Sequence, residues 1–150
     1  SCGYIHYENP KVINGCLLIH EDKVLLCRRA IEPRHGYWTL PAGFMENSET
    51  LQEGALRETR EETQASPTII SPYAAFSTTH ISQVHIFFLA DLKEESFGPT
   101  SESSEVELFD EKDIPWGELA FPTVVKALKY YFEDRKIGQF PFREESIKLG

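Results

Sequence analysis

The chain has 150 residues, 41% of them hydrophobic and 26% charged, and its formal net charge is -9. This length and composition predict one globular domain spanning 1–150, built around a buried core. The acidic balance argues against a partner bound through its phosphate backbone, so no nucleic acid is expected. No apolar run approaches the roughly 20 residues that span a bilayer and no secretory signal is visible, so no membrane partner is expected either.

Apolar runs separated by turn residues predict a series of strands and two helices. The predicted strands are 12–19, 23–28, 38–40, 68–71, 73–77, 83–92 and 105–109. The first helix is predicted at 50–63, because Thr50 and Glu53 form a capping-box pattern at its start. A second, amphipathic helix begins at Pro122. Residues 93–104 are polar and are predicted to form a mobile loop, and 138–150 to be extended or partly disordered. Strands mixed with two helices indicate an α/β sandwich.

Three cysteines, Cys2, Cys16 and Cys27, do not form a disulfide framework pattern. Cys16 and Cys27 lie within apolar runs, which predicts buried free thiols. This usage fits a reducing compartment, and we expect a cytoplasmic protein.

The first predicted helix carries three acidic residues on one face. Glu58, Glu61 and Glu62 follow one another at positions i, i+3 and i+4, and residues at this spacing share a helix face. Like charges placed together repel unless a cation lies between them. Carboxylate oxygens suit magnesium, calcium or manganese rather than zinc, so the pattern predicts a hard-metal site. The competing interpretation is a solvated acidic helix.

The surrounding residues resemble the Nudix box, Gly-x5-Glu-x7-Arg-Glu-U-x-Glu-Glu-x-Gly-U, where U is a bulky aliphatic residue. The matching positions are Gly43, Glu49, Arg57, Glu58, Glu61 and Glu62. Thr59 and Ala65 replace bulky aliphatic residues, and Gln64 replaces the second glycine, which leaves the geometry of the helix exit open. The resemblance implies a Nudix-type α/β/α sandwich with a mixed sheet. It also implies hydrolysis of a nucleoside diphosphate linked to a second group, with Mg²⁺ or Mn²⁺ as cofactor; a homodimer is left open.

Carried over from the family, the box residues take separate roles. Glu58, Glu61 and Glu62 would bind metal, joined by the carbonyl of Ala42. A second group would orient the box, namely Gly43, Glu49 and Arg57. The general base varies in this family; Glu105 is the candidate at the end of the acidic loop, with Glu102 and Glu107 as rivals. A solvated loop acid is the alternative.

Substrate contacts are predicted from residue type and position. Arg28, Arg29 and Arg34 suit phosphate, since a guanidinium group matches phosphate geometry, although surface salt bridges would also explain them. The candidates for stacking on a base or flavin ring are Trp38, Tyr73 and Phe76, with core packing as the alternative. His80 lies in a loop-like segment expected to face the site.

Segments outside the box resemble the subgroup of ADP-ribose and FAD pyrophosphatases. These segments are 9–11, 35–43 and 114–121. The stretch 72–80 lacks the Ser-Gln-Pro-Trp-Pro-Phe-Pro array of NADH pyrophosphatases. The resemblance suggests a substrate of the FAD, ADP-ribose or NADH type, with a housecleaning nucleoside triphosphatase and a non-catalytic sensor of ADP-ribose as alternatives. Cys2-Gly3, within 1–8, is similar to the last knuckle of the zinc ribbon of some relatives, so Zn²⁺ would bind only if residues upstream complete the site. A stray N-terminal cysteine is the alternative.

Overall fold

The computed structural model describes residues 9–148. Cys2 and the suggested zinc knuckle lie outside this range. The described part contains eight strands: β1 (Lys11–His20), β2 (Lys23–Arg29), β3 (Trp38–Thr39), β4 (Ala42–Phe44), β5 (Thr68–Thr78), β6 (Gln83–Asp91), β7 (Ser103–Phe109) and β8 (Arg143–Ser146). The two α-helices are α1 (Leu51–Thr63) and α2 (Pro122–Ile137).

The strands form one mixed sheet between the two helices. Its order is β3-β2-β1-β6-β5-β8, with β4 paired to β1 and β7 paired to β2. The β1–β6 and β5–β8 pairs are parallel and the others are antiparallel. Alternate residues face opposite sides: Phe88 packs with Ala55 of α1, whereas Phe87 packs with Leu128 of α2. The predicted α/β/α sandwich is confirmed.

Strands β1 and β2 separate from each other away from the turn that joins them, and this makes room for the start of the Nudix box. The strands pair with each other near the turn, through Ile19 with Val24 and His20 with Lys23. Further along, β1 pairs with β4 and β2 pairs with β3. The short segment 38–44 therefore lies between the separated strands. It leads into α1 at the edge of a cleft.

Three predicted elements differ from the structure. Residues 68–71 and 73–77 are one strand, β5, whose pairing register shifts on either side of Pro72, because proline has no N–H to donate to the ladder. Strand β7 begins at Ser103 rather than at 105. The polar segment before it is fastened to the end of α1, where Gly98 N donates to Thr63 O (2.9 Å).

The C-terminal tail, predicted to be extended or partly disordered, contains a strand. Part of the tail forms β8, which pairs with β5, and Arg143 donates to the buried carboxylate of Asp134 (2.6 Å). Cys16 and Cys27 are buried free thiols, as predicted. Within residues 9–148, no helix is long and apolar enough to cross a membrane.

Candidate active site

Helix α1 begins at the predicted capping box. Glu53 N donates to the side chain of Thr50 (3.1 Å), and Thr50 N donates to the Glu53 carboxylate (2.8 Å). These bonds satisfy two backbone N–H groups that a helix start leaves without partners. Thr59 and Thr63 face the sheet and are buried, so the acidic face turns the other way, toward the segment from β3 to β4.

Gly43 lies where the carboxylate of Glu58 needs space. A Cβ atom at this position would lie 2.2 Å from Glu58 Oε2, which no real contact allows. The glycine is therefore required by the close approach of a side chain and not by an unusual backbone angle. Because Gly43 has no side chain, the Glu58 carboxylate on α1 can reach the edge of β4.

A Gly43→Ala substitution is expected to displace the Glu58 carboxylate, because the new methyl group would occupy its place. We expect turnover to fall on the order of 10²-fold, the effect of an ångström-scale misplacement at a reacting centre. Gly117→Ala is the matched control, since nothing lies within 4 Å of a Cβ there. Steady-state rates of the two variants measure the difference, and equal rates would contradict this account of the glycine.

Arg57 holds the acidic residues of the box in place. Its Nε and Nη2 donate to the two carboxylate oxygens of Glu49 (2.5 and 3.0 Å). Its Nη1 donates to Glu58 (2.7 Å) and Glu61 (3.1 Å), and Nη2 also donates to Phe44 O (3.0 Å). The bidentate pair lowers the pKa of Glu49 and raises that of Arg57. Glu49 and Arg57 thus fix the geometry of α1 against β4.

The acidic face of α1 meets a carboxylate from the loop before β7. One oxygen each from Glu58, Glu61 and Glu102 lie within 4.8 Å of one another. Glu102 Oε2 is buried and has no hydrogen-bond partner in the described part of the chain. Glu62 is buried beside this group and accepts a hydrogen bond from Ala42 N (2.9 Å). Burial, then repulsion from Glu58 and Glu102, raises the pKa of Glu62, and burial raises that of Glu58.

These carboxylates line a cleft of about 640 Å³, a volume typical of small-molecule sites. One wall carries the acids of α1 together with Glu102. Another is formed by Gln83, His85 and the first turn of α2, and apolar side chains complete the lining. The cleft therefore combines a group of closely spaced carboxylates with a surface suited to an apolar ring.

The family model for the NUDIX domain matches residues 10–134. The chain belongs to the NUDIX family. This confirms the resemblance of the box at Gly43 to Glu62, and it accounts for the mixed sheet and the position of α1.

Solved and curated relatives agree with this assignment. A NUDIX hydrolase from Nitrosomonas europaea has 53% sequence identity and a TM-score of 0.95, covering 99% of this chain and 84% of that one. An ADP-ribose pyrophosphatase of Methanocaldococcus jannaschii is 31% identical over 124 residues, covering 79% of this chain and 71% of the relative. A NAD-capped RNA hydrolase, NudC, of Vibrio atlanticus is 32% identical over 121 residues, covering 77% of this chain and 43% of the relative. The chain thus spans less than half of the NudC protein. The predicted enzyme class, a Nudix hydrolase, is confirmed.

The three arginine residues predicted to contact phosphate, and His80, which was predicted to face the site, separate into two groups. Arg29 and His80 line the Nudix cleft. Arg28 instead pairs with Glu105 (2.8 Å) on neighbouring strands. Arg34 stacks on Tyr37 and donates to the carbonyl of Ala120 (3.0 Å), outside the main cleft. The structure thus places Arg28 and Arg34 in structural contacts.

The three aromatic residues predicted to stack on substrate are core residues. Trp38 is buried edge-on against Phe109, and Tyr73 is buried with its hydroxyl bonded to Asp134. Phe76 is fully buried beside Phe87. None of them is among the residues that line the cleft, so their burial supports the alternative of core packing.

Two groups of cleft residues were missed or ranked too low. Glu102 was only a rival to Glu105, yet Glu102 lies among the box acids whereas Glu105 is paired with Arg28. Gln83 and His85 drew no functional interpretation. The available signal was their period-two spacing in an otherwise apolar strand, which places both polar side chains on the face of Phe87.

Helix α1 ends at Gln64, which occupies the position of the second glycine of the Nudix box. This residue takes the left-handed conformation usual for glycine (φ 66°, ψ 1°), and its side chain donates to Pro99 O (2.6 Å). Gln64→Gly and Gln64→Ala both lose this hydrogen bond, but only alanine keeps the strain. We expect the glycine variant to be more stable than the alanine variant by about 1 kcal/mol. Urea unfolding of the pair measures this, and equal stability would show that the position is unstrained.

Proposed function

We propose that the chain is a pyrophosphatase, dependent on Mg²⁺ or Mn²⁺, that hydrolyses a nucleoside diphosphate linked to a second group and releases a nucleoside monophosphate. The observation that carries this proposal is the cluster of three carboxylates, from Glu58, Glu61 and Glu102, in a cleft large enough for a small molecule. ADP-ribose is the first candidate substrate, because the Methanocaldococcus jannaschii relative is named an ADP-ribose pyrophosphatase. FAD and NADH are the next.

The chemistry of the side chains fits a hard divalent cation. Three carboxylates this close repel one another, and a buried oxygen of Glu102 lacks any partner among the described residues. An unpaired buried oxygen costs free energy that a cation would recover. Glu58, Glu61 and Glu102 would hold the cation. Glu62 would add charge from beneath them, and its hydrogen bond to Ala42 N holds the backbone whose carbonyl is a further candidate ligand.

A divalent cation, when bound, would neutralise charge on the phosphate oxygens and make a water molecule more acidic. The side chains supply the remaining requirements. Glu102 is the candidate to accept the proton of the attacking water, through the carboxylate oxygen that is not bound to the cation. Arg29 lies in the cleft and would position a phosphate group. Arg57 keeps Glu58 and Glu61 oriented throughout.

Product analysis tests the proposal. The protein would be incubated with ADP-ribose, FAD, NADH, NAD-capped RNA and a nucleoside triphosphate, each with Mg²⁺, with Mn²⁺ or with EDTA. We expect AMP from ADP-ribose in the presence of either cation and none in EDTA. Glu107→Gln removes an exposed acid from β7. It is the control for the loss of one negative charge in the variants Glu62→Gln and Glu102→Gln.

Other outcomes would replace the proposal. Faster release of pyrophosphate from the triphosphate would identify a housecleaning enzyme, and preference for NAD-capped RNA would extend the substrate to a nucleic acid. Tight binding of ADP-ribose without turnover would identify a sensor.

A further inference from the structure

A chain of polar contacts links β6 to α2 in the lining of the cleft. The ring of His85 contacts Thr123 Oγ1 through Nδ1 (2.8 Å) and Gln83 Oε1 through Nε2 (2.9 Å). His85 and Thr123 are buried, Gln83 is half-buried, and all of them line the cleft. These contacts join two elements, since Gln83 and His85 lie on β6 and Thr123 lies in the first turn of α2.

The direction of the hydrogen bonds follows from the donors available. An amide oxygen only accepts, so Nε2 of His85 must carry the ring proton. Nδ1 is then an acceptor, and the hydroxyl of Thr123 donates to it. Burial lowers the pKa of His85 to about 4, which keeps the ring neutral with a single N–H at neutral pH. The chain therefore runs one way, from Thr123 through His85 to Gln83.

The end of this chain is a free donor. With Oε1 held by His85, the NH₂ group of Gln83 points away from the ring, and it has no hydrogen-bond partner within residues 9–148. The same cleft is lined by apolar side chains, among them Ile13, Phe87, Val124 and Ile147. A fixed donor in a cleft with apolar lining is an arrangement that orients a ring with one acceptor atom.

We infer that Gln83 determines specificity by donating a hydrogen bond to an acceptor atom on the ring of the substrate nucleotide, and that His85 and Thr123 are positioning residues that fix its amide. This inference rests on the proposed function, because it assigns the non-phosphate end of the same substrate. It places the ring against β6 and α2, and the phosphates toward Glu58 and Glu102.

Kinetics of matched variants test the inference. Gln83→Ala is expected to raise KM for ADP-ribose about 10-fold, the effect of one lost hydrogen bond, while kcat changes less than about threefold. Gln83→Glu keeps the acceptor for His85 but has no donor, so KM is expected to rise at least as much. Gln139→Ala, an exposed glutamine after α2, is the control and should match the wild type.

The positioning role has its own pair of variants. Thr123→Val removes the hydroxyl at nearly constant shape, and we expect KM to rise about 3-fold or more. Thr123→Ser retains the hydroxyl and is expected to restore a KM close to that of the wild type. Thermal melting of both variants checks that they are folded. A purely structural role would lower the melting temperature and leave the ratio of KM to kcat unchanged.

A binding measurement distinguishes a failure of the role of Gln83 from a failure of the proposed function. Calorimetric titration of AMP into metal-free protein reports recognition without turnover, and Gln83→Ala should bind AMP about 10-fold more weakly. Wild-type protein that neither binds nor cleaves any nucleotide would overturn the proposed function, and this inference with it. Wild-type activity with unchanged KM and unchanged AMP affinity in Gln83→Ala would overturn the inference alone.

Discussion

Glu62→Gln is expected to lose turnover on the order of 10²-fold or more, the range seen when a group supporting a metal site is neutralised. The amide oxygen can still accept the hydrogen bond from Ala42 N, so the backbone of the box should stay in place. What disappears is the negative charge beneath Glu58 and Glu102. Steady-state kcat with saturating Mg²⁺ measures the loss.

The same variant should be at least as stable as the wild type without metal. Burial raises the pKa of Glu62, so the folded protein holds that proton more tightly than the unfolded chain does. The ionised group therefore destabilises the folded state at neutral pH, and this cost shrinks as pH falls. An uncharged amide removes it, and the melting temperature in EDTA at pH 7 should not drop. Normal turnover in the variant would contradict the supporting role of Glu62 at the metal site, and a lower melting temperature would contradict the electrostatic account.

The second large effect distinguishes two acids of the same loop and strand. We expect Glu102→Gln to lower kcat on the order of 10²-fold, as for a lost general base. Glu105→Gln should stay within about threefold of the wild type. The reason is that Glu102 lies among the box acids, whereas the Glu105 carboxylate is half-exposed and pairs with Arg28. Such an exposed pair contributes little to stability.

A metal titration supplies an independent measurement for this pair. The rise of melting temperature with added Mn²⁺ reports binding to the folded state. It should be smaller in Glu102→Gln and unchanged in Glu105→Gln. A loss of activity and metal response in Glu105→Gln alone would return the catalytic role to the residue first predicted from the sequence.

Local patterns in the sequence predicted the elements that depend on local spacing. The capping box at Thr50 and Glu53 begins α1, and the helical period brings Glu58, Glu61 and Glu62 to one side. Both depend on residues within two turns of each other, so no distant contact is needed to establish them. The end of the helix at Gln64 also depends on a distant contact, because the segment carrying Pro99 must be in place to accept the hydrogen bond from its side chain.

Burial of the aromatic rings and ion pairing of Arg28 decided which of these side chains are available to contact a substrate. Trp38, Tyr73 and Phe76 have the chemistry of stacking residues, but the sheet and α2 cover them. The sequence alone does not distinguish a ring in the core from a ring in a cleft. The same limit applies to Arg28, whose partner Glu105 lies 77 residues away.

The sequence by itself determined the family, the acidic face of α1 and the glycine in front of it, because each is encoded by short, fixed spacings. The tertiary structure alone decided which later acid joins them. The pairing of β2 with β7 sets Glu105 opposite Arg28, and a register shift then sets Ser103 opposite Arg29. The preceding residue, Glu102, bonds through its carbonyl to Ala30 N (2.9 Å) and turns into the cleft. That one-residue irregularity in a long-range ladder has no local signature in the chain.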